Sequence, residues 1–221
     1  MLIASVPFFA LFKGTNAPCP TAALRYLTGM LQKSETIHLR AHAGDRSAKD
    51  VEMTPQTLHF QPSPENARAL RDAFGCFGTG VTVITTQTPD GPLGMTANSF
   101  SSISLDPALV LWSPAKSSKR HDAFAQTPHF CIHILSQDQF PLARHFAQNG
   151  TGFSQVDWTP GPAGAPALAG CLAEFHCDTH AVHPAGDHSL ILGEVRDVFH
   201  RTADGSGLLF HRGSYGGFSP D

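Results

Sequence analysis

The chain has little charge and no excess of cations. Its 221 residues include 15 Lys and Arg against 18 Asp and Glu, which gives a formal net charge of -3. A protein that neutralises a nucleic-acid backbone needs a surplus of Lys and Arg, so nucleic acid is not an expected partner. Apolar residues make up 41% of the chain, which is typical of an ordinary globular protein and predicts one catalytic-sized unit.

Cysteine is scarce and has no recognisable spacing. The five Cys residues are odd in number and form no CxxC pair. This pattern favours reduced thiols in a cytoplasmic protein over a disulfide framework. None of them sits in an activating sequence context, so we interpret all five as structural.

A hydrophobic run long enough to cross a membrane is missing too. The apolar stretch at residues 2–12 is shorter than the about 20 residues that span a bilayer. No Lys or Arg precedes it, whereas a secretory signal begins with such a charge. We therefore expect no membrane partner. The sequence predicts an N-terminal extension over residues 1–61, irregular or with a short helix, and one domain over residues 62–221.

Most of the pattern from residue 63 onward is that of strands. A helix is predicted to begin at Ser63 and to end at Gly78 and Gly80, and two more follow Ser118 and Ser136. A hairpin is predicted next to the first helix, with residues 93–105 as its second strand. Further strands are expected at residues 108–113, 129–135, 172–182, 188–199 and 208–211, and a long surface loop at residues 150–170. This order predicts a mainly β fold, an antiparallel barrel with peripheral helices.

Residues 94–107 are unusual for a strand because they are small and rich in hydroxyl groups. A strand that only filled a core would carry Val, Ile and Leu, whereas Ala, Ser and Thr let a ligand approach the backbone. Downstream, residues 113–118 place Lys116 and several Ser hydroxyls at a predicted helix start, where an anion is favoured. Together these stretches indicate a flat or phosphorylated ligand.

Several separated motifs occur together and in order along the chain. They are Gly80-Val81-Thr82-Val83, Asp90-Gly91, Gly94-Met95-Thr96-Ala97-Asn98-Ser99-Phe100, Asp106-Pro107, Gly186-Asp187-His188 and Arg212-Gly213-Ser214-Tyr215-Gly216. In these motifs the chain resembles the flavin reductase family, which has the FMN-binding split barrel fold. The resemblance runs from about residue 68 to the C-terminus. It implies a split antiparallel β-barrel and a homodimer that uses NADH or NADPH to reduce FMN or FAD.

The resemblance also implies roles for individual residues. The flavin-binding residues it predicts are Thr96, Ala97, Asn98, Ser99, Ser113, Pro114, Lys116, Ser117, Ser118 and Phe146. The nicotinamide-binding residues it predicts are Gly186, Asp187, His188 and Tyr215. Hydride transfer between nicotinamide and flavin requires no protein acid or base, so His188 is expected to position the donor and no catalytic residue is predicted. Tyr215 is equally well explained as a buried C-terminal aromatic.

Five metal-ligating side chains lie close together in sequence. They are His176, Cys177, His180, His183 and His188. On a strand, however, alternate side chains point to opposite faces, so His176 and His180 would share one face while Cys177 and His183 point to the other. The sequence therefore predicts no metal site.

The resemblance leaves three functions open. The first is an NAD(P)H-dependent flavin reductase that supplies reduced flavin to a partner monooxygenase. The second is a related flavoprotein that keeps FMN tightly bound and reduces another acceptor, and the third is a flavin-binding or haem-binding protein without turnover. Retention of Gly186-Asp187-His188 favours the first over the third, because a pure binding protein has no use for a nicotinamide site. The single Lys116 leaves the choice between FMN and FAD open.

Overall fold

The structure of the protein is a computed structural model that describes residues 57–219. The predicted N-terminal extension lies almost entirely outside the described residues. The helices are α1 (Ala67–Phe74), α2 (His121–Gln126) and α3 (Phe140–Gln148). The strands are β1 (Thr79–Gly80), β2 (Thr82–Thr88), β3 (Gly91–Ala97), β4 (Ser101–Leu105), β5 (Ala108–Trp112), β6 (His129–Ile134), β7 (Trp158–Pro160), β8 (Pro166–Leu168), β9 (Ala173–Ala185), β10 (His188–His200), β11 (Leu208–His211) and β12 (Ser214–Gly217).

A seven-stranded antiparallel sheet dominates the fold. Its strand order is β3-β2-β6-β9-β10-β5-β4, and a three-stranded sheet of β1, β11 and β12 and the small β7–β8 hairpin accompany it. The long strands β9 and β10 pair along nearly their whole length and turn at Gly186 and Asp187. The mainly β, split-barrel fold class that the sequence predicts is confirmed.

Two hydrophobic clusters form the core. One gathers Phe146 and Ala143 of α3 with Val83 of β2, and the other packs Phe124 of α2 against Trp112 of β5 and its neighbours. The rings of Trp112 and Phe124 meet edge to face at 5.1 Å between centroids, a geometry that aromatic pairs favour. Helices α2 and α3 therefore each contribute one fully buried aromatic side chain, which fixes them against the sheet.

The predicted strand over residues 93–105 is wrong. The structure divides it into β3, which pairs with β2, and β4, which pairs with β5 at the other edge of the sheet. Residues 98–100 between them are irregular, and the Ser99 hydroxyl accepts a hydrogen bond from the backbone N–H of Ser113 at 2.9 Å. Small residues with local hydrogen-bonding groups allow the backbone to leave one strand and join another, and alternation along the sequence does not reveal this.

Three smaller predictions also need correction. Helix α1 ends at Phe74, before the glycines, and none of its residues is buried. Residues 150–170 are not a plain surface loop, because they contain β7 and β8 and bury Phe153 and Leu168. The strand β12 closes the described chain where only a terminal motif was expected. Each correction reflects a tertiary contact, which local residue patterns do not encode.

The side chain of His133 on β6 is titratable and fully buried. It has no exposed surface, its Nδ1 lies 3.0 Å from the carbonyl oxygen of Val83, and its Nε2 accepts a hydrogen bond from the backbone N–H of Leu168 at 3.0 Å. This pairing requires the neutral ring with its proton on Nδ1. Burial, with a smaller contribution from nearby His176, lowers the pKa of His133 from 6.5 to about 4, although the hydrogen bond to the Val83 carbonyl acts in the opposite direction.

We expect the protein to lose stability as the pH falls from 6.5 towards 4. The imidazole of the unfolded chain gains its proton near pH 6.5, whereas the folded chain resists protonation until about pH 4. Acid therefore favours unfolding within this window, and the loss from His133 is on the order of 2 kcal/mol at pH 5 relative to pH 7. Urea unfolding at a series of pH values measures it. His133→Gln should reduce the pH slope, and an unchanged slope would contradict this assignment.

Candidate functional site

Hydrogen bonds join three of the predicted segments into one continuous surface. Ser99 bonds to Ser113, which links residues 96–99 to the loop at residues 113–118. The backbone N–H of Lys116 donates to the carbonyl oxygen of Asp187 at 2.8 Å, and the backbone N–H of Ser189 donates to that of Pro114 at 3.1 Å. The strand segment, the Lys116 loop and the Gly186-Asp187-His188 turn are therefore neighbours, although they are far apart in sequence.

Hydrogen bonds within this surface hold the side chains of Lys116 and His188 in place. The Nζ of Lys116 donates to the carbonyl oxygen of Gly186 at 2.7 Å, so its cation lies at the turn between β9 and β10. The Nδ1 of His188 lies 2.8 Å from a carboxylate oxygen of Asp187, and His188 lowers the pKa of that carboxyl. A carboxylate on Nδ1 fixes the orientation of the ring and leaves Nε2 as the atom that can meet a ligand.

The polar side chains of residues 96–99 form hydrogen bonds within the protein. Thr96 donates its hydroxyl proton to the carbonyl oxygen of Ala143 at 2.6 Å, and Asn98 donates to the hydroxyl of Thr79 at 3.3 Å. By contrast, the backbone N–H groups of residues 98–100 donate to no other backbone group in the described chain. The donors that this segment offers a ligand are therefore backbone amides, which suit the edge of a flat polar ring.

Tyr215 lies next to residues 96–98 of the predicted flavin-binding segment. It lines a cavity of about 140 Å³ together with residues 96–98, and its ring packs 4.9 Å from that of Phe140 and 5.0 Å from that of Phe210. No hydrogen bond or ring–ring contact joins Tyr215 to His188 in the described part of the chain. The cavity also includes Val81, Ala147 and Phe210, which sequence reasoning missed because nothing local distinguishes them from core residues.

Phe146 packs against β3 and does not line the candidate site. Its side chain is fully buried between β3 and the ring of Phe153, so it presents no surface to a ligand in this structure. Beside it, the guanidinium of Arg120 donates to the carbonyl oxygens of Gly94 and Phe146, at 2.9 and 2.7 Å. Burial lowers the pKa of Arg120. Arg120, which the sequence did not single out, thus holds α3 to β3.

The histidine-rich strand β9 does not gather its histidines at one point. His180 is the extra residue of a bulge between β9 and β10, and it lies 3.8 Å from Glu194, while His176 is buried. The expected alternation is therefore broken at His180. A different group does come together, because Cys131 on β6 and Glu174 and His176 on β9 bring their ligand atoms within 4.8 Å of one another. This group could not be recognised from the sequence, because Cys131 lies about 45 residues upstream of His176.

Two general expectations can also be compared with the structure. No helix among the described residues has both the length and the apolar character needed to cross a membrane. The four cysteines of the described chain, Cys76, Cys131, Cys171 and Cys177, are free thiols. Burial raises the pKa of Cys171 and of Cys177 to about 12, so both thiols are protonated and inert at neutral pH, as structural cysteines are.

Comparison with known proteins gives consistent matches over this domain. A family model described as a flavin reductase like domain matches residues 74–219. The chain is 54% identical over 165 residues to an FMN reductase (NADH) from Agrobacterium fabrum, covering 75% of this chain and 94% of that relative. It is 46% identical over 155 residues to the reductase component of a flavin-dependent trigonelline monooxygenase from Acinetobacter baylyi, covering 69% of this chain and 49% of that relative.

A solved structure is similar as well. The NADH:FAD oxidoreductase of Streptomyces globisporus, determined in complex with NAD and FAD fragments, superposes with a TM-score of 0.68 at 40% sequence identity. The match covers 74% of this chain and 99% of that chain. Both the sequence relatives and the structural neighbour thus agree on one family of proteins.

Proposed function

The chain belongs to the flavin reductase-like domain family, and from this premise we propose that it catalyses the NAD(P)H-dependent reduction of FMN or FAD. One observation carries the proposal: the Lys116 loop and the Gly186-Asp187-His188 turn are hydrogen-bonded to each other and, through Ser99, to residues 96–99. The segments that we assign to phosphate, nicotinamide and flat-ring binding are thereby adjacent, as transfer between two bound molecules requires.

We assign the parts of this surface as follows. The flavin and the nicotinamide together supply the hydride chemistry when both are bound. Residues 96–99 offer backbone amides to the polar edge of the flavin ring, and residues 113–118, with Lys116 as the cation, hold its phosphate. His188, oriented by Asp187, positions the nicotinamide donor. Small side chains at Ala97 and Ser99 permit close approach, so the residues present fit a bound flavin.

The position of Tyr215 changes one assignment. Since Tyr215 shares a cavity with residues 96–98, we propose that it packs beside the flavin ring and reaches the nicotinamide only across that ring. Tyr215 is 37% exposed and its ring is held by Phe140 and Phe210, so it offers an aromatic face with little conformational freedom to lose. Phe146 acts indirectly, by fixing the strand that carries residues 96–97.

We also propose that the protein works as a homodimer and delivers reduced flavin to an oxygenase. Several relatives are named as reductase components of flavin-dependent monooxygenases, which supports such a partner. Large exposed apolar side chains support the dimer, because they offer surface that a second copy of the chain would remove from water. These include Phe74, Phe77, Leu105, Val198 and Phe199. A cytoplasmic location and a separate N-terminal extension over residues 1–61 remain part of the proposal.

Oxidation of NADH by the purified protein tests the proposal directly. Mixed with FMN or FAD without oxygen, the protein is expected to consume NADH and bleach the flavin in a one-to-one ratio, because two electrons pass from one molecule to the other. Absorbance at the nicotinamide and flavin bands follows both. Repeating the assay with NADPH and comparing kcat/KM identifies the preferred donor and flavin.

Two outcomes would contradict the proposal. If flavin binds but NADH is never consumed, the chain is a binding protein and not a reductase. If flavin copurifies with the chain and is reduced once, while added free flavin is not turned over, the flavin is a tightly held group that serves another acceptor. Omission of the protein is the control for direct reaction of NADH with flavin.

A further inference from the structure

Three metal-ligating side chains meet on one face of the large sheet, beside the β7–β8 hairpin. Cys131 on β6 is the register partner of His176 on β9, and Glu174 lies two residues before His176, so the three side chains project to the same side. The Nε2 atom of His176 lies 3.6 Å from Sγ of Cys131 and 3.4 Å from Oε2 of Glu174. None of the three belongs to the flavin or nicotinamide segments.

The separation between His176 and Glu174 suits a shared cation better than a hydrogen bond. Good hydrogen bonds to nitrogen in proteins are about 2.7–3.2 Å long, shorter than the contact to Glu174. A tetrahedral zinc ion with bonds of about 2.0–2.3 Å holds its ligand atoms about 3.3–3.6 Å apart. Both distances from Nε2 are therefore those that two ligands of a common metal ion would have.

The imidazole of His176 cannot satisfy both of its neighbours by itself. Nε2 carries either one hydrogen or one lone pair, so it can donate to Glu174 or accept from the thiol of Cys131, and one neighbour is always left over. His133, on the same face of the sheet, differs because each of its ring nitrogens has one backbone partner. A cation between the three side chains would accept a lone pair from each.

Burial makes the unbalanced charge of this cluster costly. The Glu174 side chain is 18% exposed, and within the described chain it forms no ion pair with Lys or Arg. The His176 side chain is 4% exposed, and its Nδ1 is a buried atom without a hydrogen-bond partner. A partly buried carboxylate is stabilised by a compensating positive charge, which no Lys or Arg of the described chain supplies to Glu174. Burial, reinforced by Glu174, also raises the pKa of the Cys131 thiol, so without a cation this thiol keeps its proton.

A cavity of about 370 Å³ adjoins the cluster and supplies a path to it. Glu174 and His176 line the cavity from the sheet, Phe199 lines it from β10, and residues 157–162 and 167–169 line it from the hairpin. Three protein ligands leave one position of a tetrahedral ion unfilled, and water from such a cavity can occupy it. Cys131 is fully buried and is not accessible as a nucleophile.

We propose that Cys131, Glu174 and His176 form a binding site for one divalent transition metal ion of the zinc class. A thiolate, an imidazole and a carboxylate are the donors that zinc and its substitute cobalt accept together. When the bond from Sγ to the metal forms, the thiol releases its proton to solvent. The ion joins β6 to β9 and fixes the Glu174 side chain, so its role is to stabilise the sheet.

Cobalt binding tests the site, because a thiolate ligand gives Co²⁺ an intense near-ultraviolet charge-transfer band. The background is a full-length Cys19→Ser/Cys76→Ser chain, which lacks both the exposed thiol and the one outside the described residues. One Co²⁺ per chain is expected to produce this band and tetrahedral visible bands, and Zn²⁺ should abolish them by displacement. Cys131→Ser is expected to remove the charge-transfer band, and His176→Gln or Glu174→Gln to weaken Zn²⁺ binding at least tenfold.

Cys177→Ser is the matched control, because Cys177 is a buried thiol that belongs to a separate hydrophobic cluster. It is expected to keep the band and the affinity. If Cys131→Ser fails to fold, Glu174→Gln still tests the site, since that carboxylate is partly exposed. The proposal is overturned if one equivalent of Co²⁺ gives no thiolate band, if the band persists in Cys131→Ser, or if Glu174→Gln binds Zn²⁺ as tightly as the background chain.

Discussion

Replacement of Gly94 by valine is expected to destabilise the protein by about 3–5 kcal/mol and to lower its Tm by roughly 10 °C. A Cβ atom at Gly94 would lie 2.6 Å from Cε1 of Phe146, a distance at which one group must move. Phe146 is fully buried and is packed against Phe153 and His145, so its ring cannot move away from the new side chain without disturbing these contacts. Thermal unfolding followed by circular dichroism measures the loss.

A double-mutant cycle shows whether this collision is the cause. Phe146→Ala alone should cost about 3–5 kcal/mol because it leaves a cavity. In the Gly94→Val/Phe146→Ala chain the valine methyl groups occupy part of that cavity, so the combined loss should be smaller than the sum by about 1–3 kcal/mol. If the two losses of stability are strictly additive, the collision between the side chain at position 94 and Phe146 is not the cause. Gly80→Val is the control, because a Cβ at Gly80 meets nothing within 4 Å.

A displacement of Phe146 is also expected to disturb the proposed flavin site, since Gly94 is only two residues before Thr96. Phe146, Arg120 and Ala143 all contact β3 through Gly94 or Thr96. Any variant that displaces Phe146 while remaining folded should therefore also raise the KM for flavin. Gly94→Ala, with its smaller side chain, allows this to be measured at a temperature where the protein is still native.

Replacement of His188 by alanine is expected to raise the apparent KM for NADH about ten- to a hundredfold and that for flavin less than about twofold. Loss of a hydrogen bond that involves a charged partner costs about 1.5–3 kcal/mol, which corresponds to this range. The variant also leaves the exposed carboxylate of Asp187 without its imidazole partner, next to an anionic donor. Steady-state kinetics with each substrate varied in turn separates the two constants.

The split between the two KM values distinguishes positioning from general damage. His188→Gln retains a hydrogen-bonding side chain and should recover part of the lost affinity for NADH. His183→Ala removes an exposed histidine from the same hairpin and should leave both constants unchanged. Equal increases in the two constants for His188→Ala would contradict the assigned role, and a fall in kcat alone would assign His188 to the chemical step instead.

Much of this protein was predictable because its signals are local. The capping boxes at Ser63 and Ser136 act within three residues, and the tight turn at Gly186 and Asp187 requires a residue with positive φ, which Gly186 supplies with a φ of 59°. The alternating strand that starts at His129 and the turn at Pro89 are equally local. These features identified the fold class and the segments of the proposed site.

Other features depend on contacts that a sequence pattern does not contain. The division of residues 93–105 into β3 and β4 follows from their pairing with different strands, although both parts alternate in the same way. The burial of Phe153 and Leu168 follows from the way residues 150–170 fold back on the sheet. Whether the Thr96 hydroxyl faces a ligand or Ala143 depends on where α3 packs.

The sequence by itself thus determined most of the strands and turns and the resemblance to the flavin reductase family, and it singled out the Lys116 and His188 segments, because each of these signals lies within a few adjacent residues. Only the tertiary structure decided that Lys116 bonds to Gly186, that Tyr215 joins residues 96–98, and that Cys131 meets His176. For Cys131 and His176 the physical reason is the register of two antiparallel strands, and for the other two contacts it is the packing of a loop or a second sheet against the first, neither of which has a counterpart in local sequence.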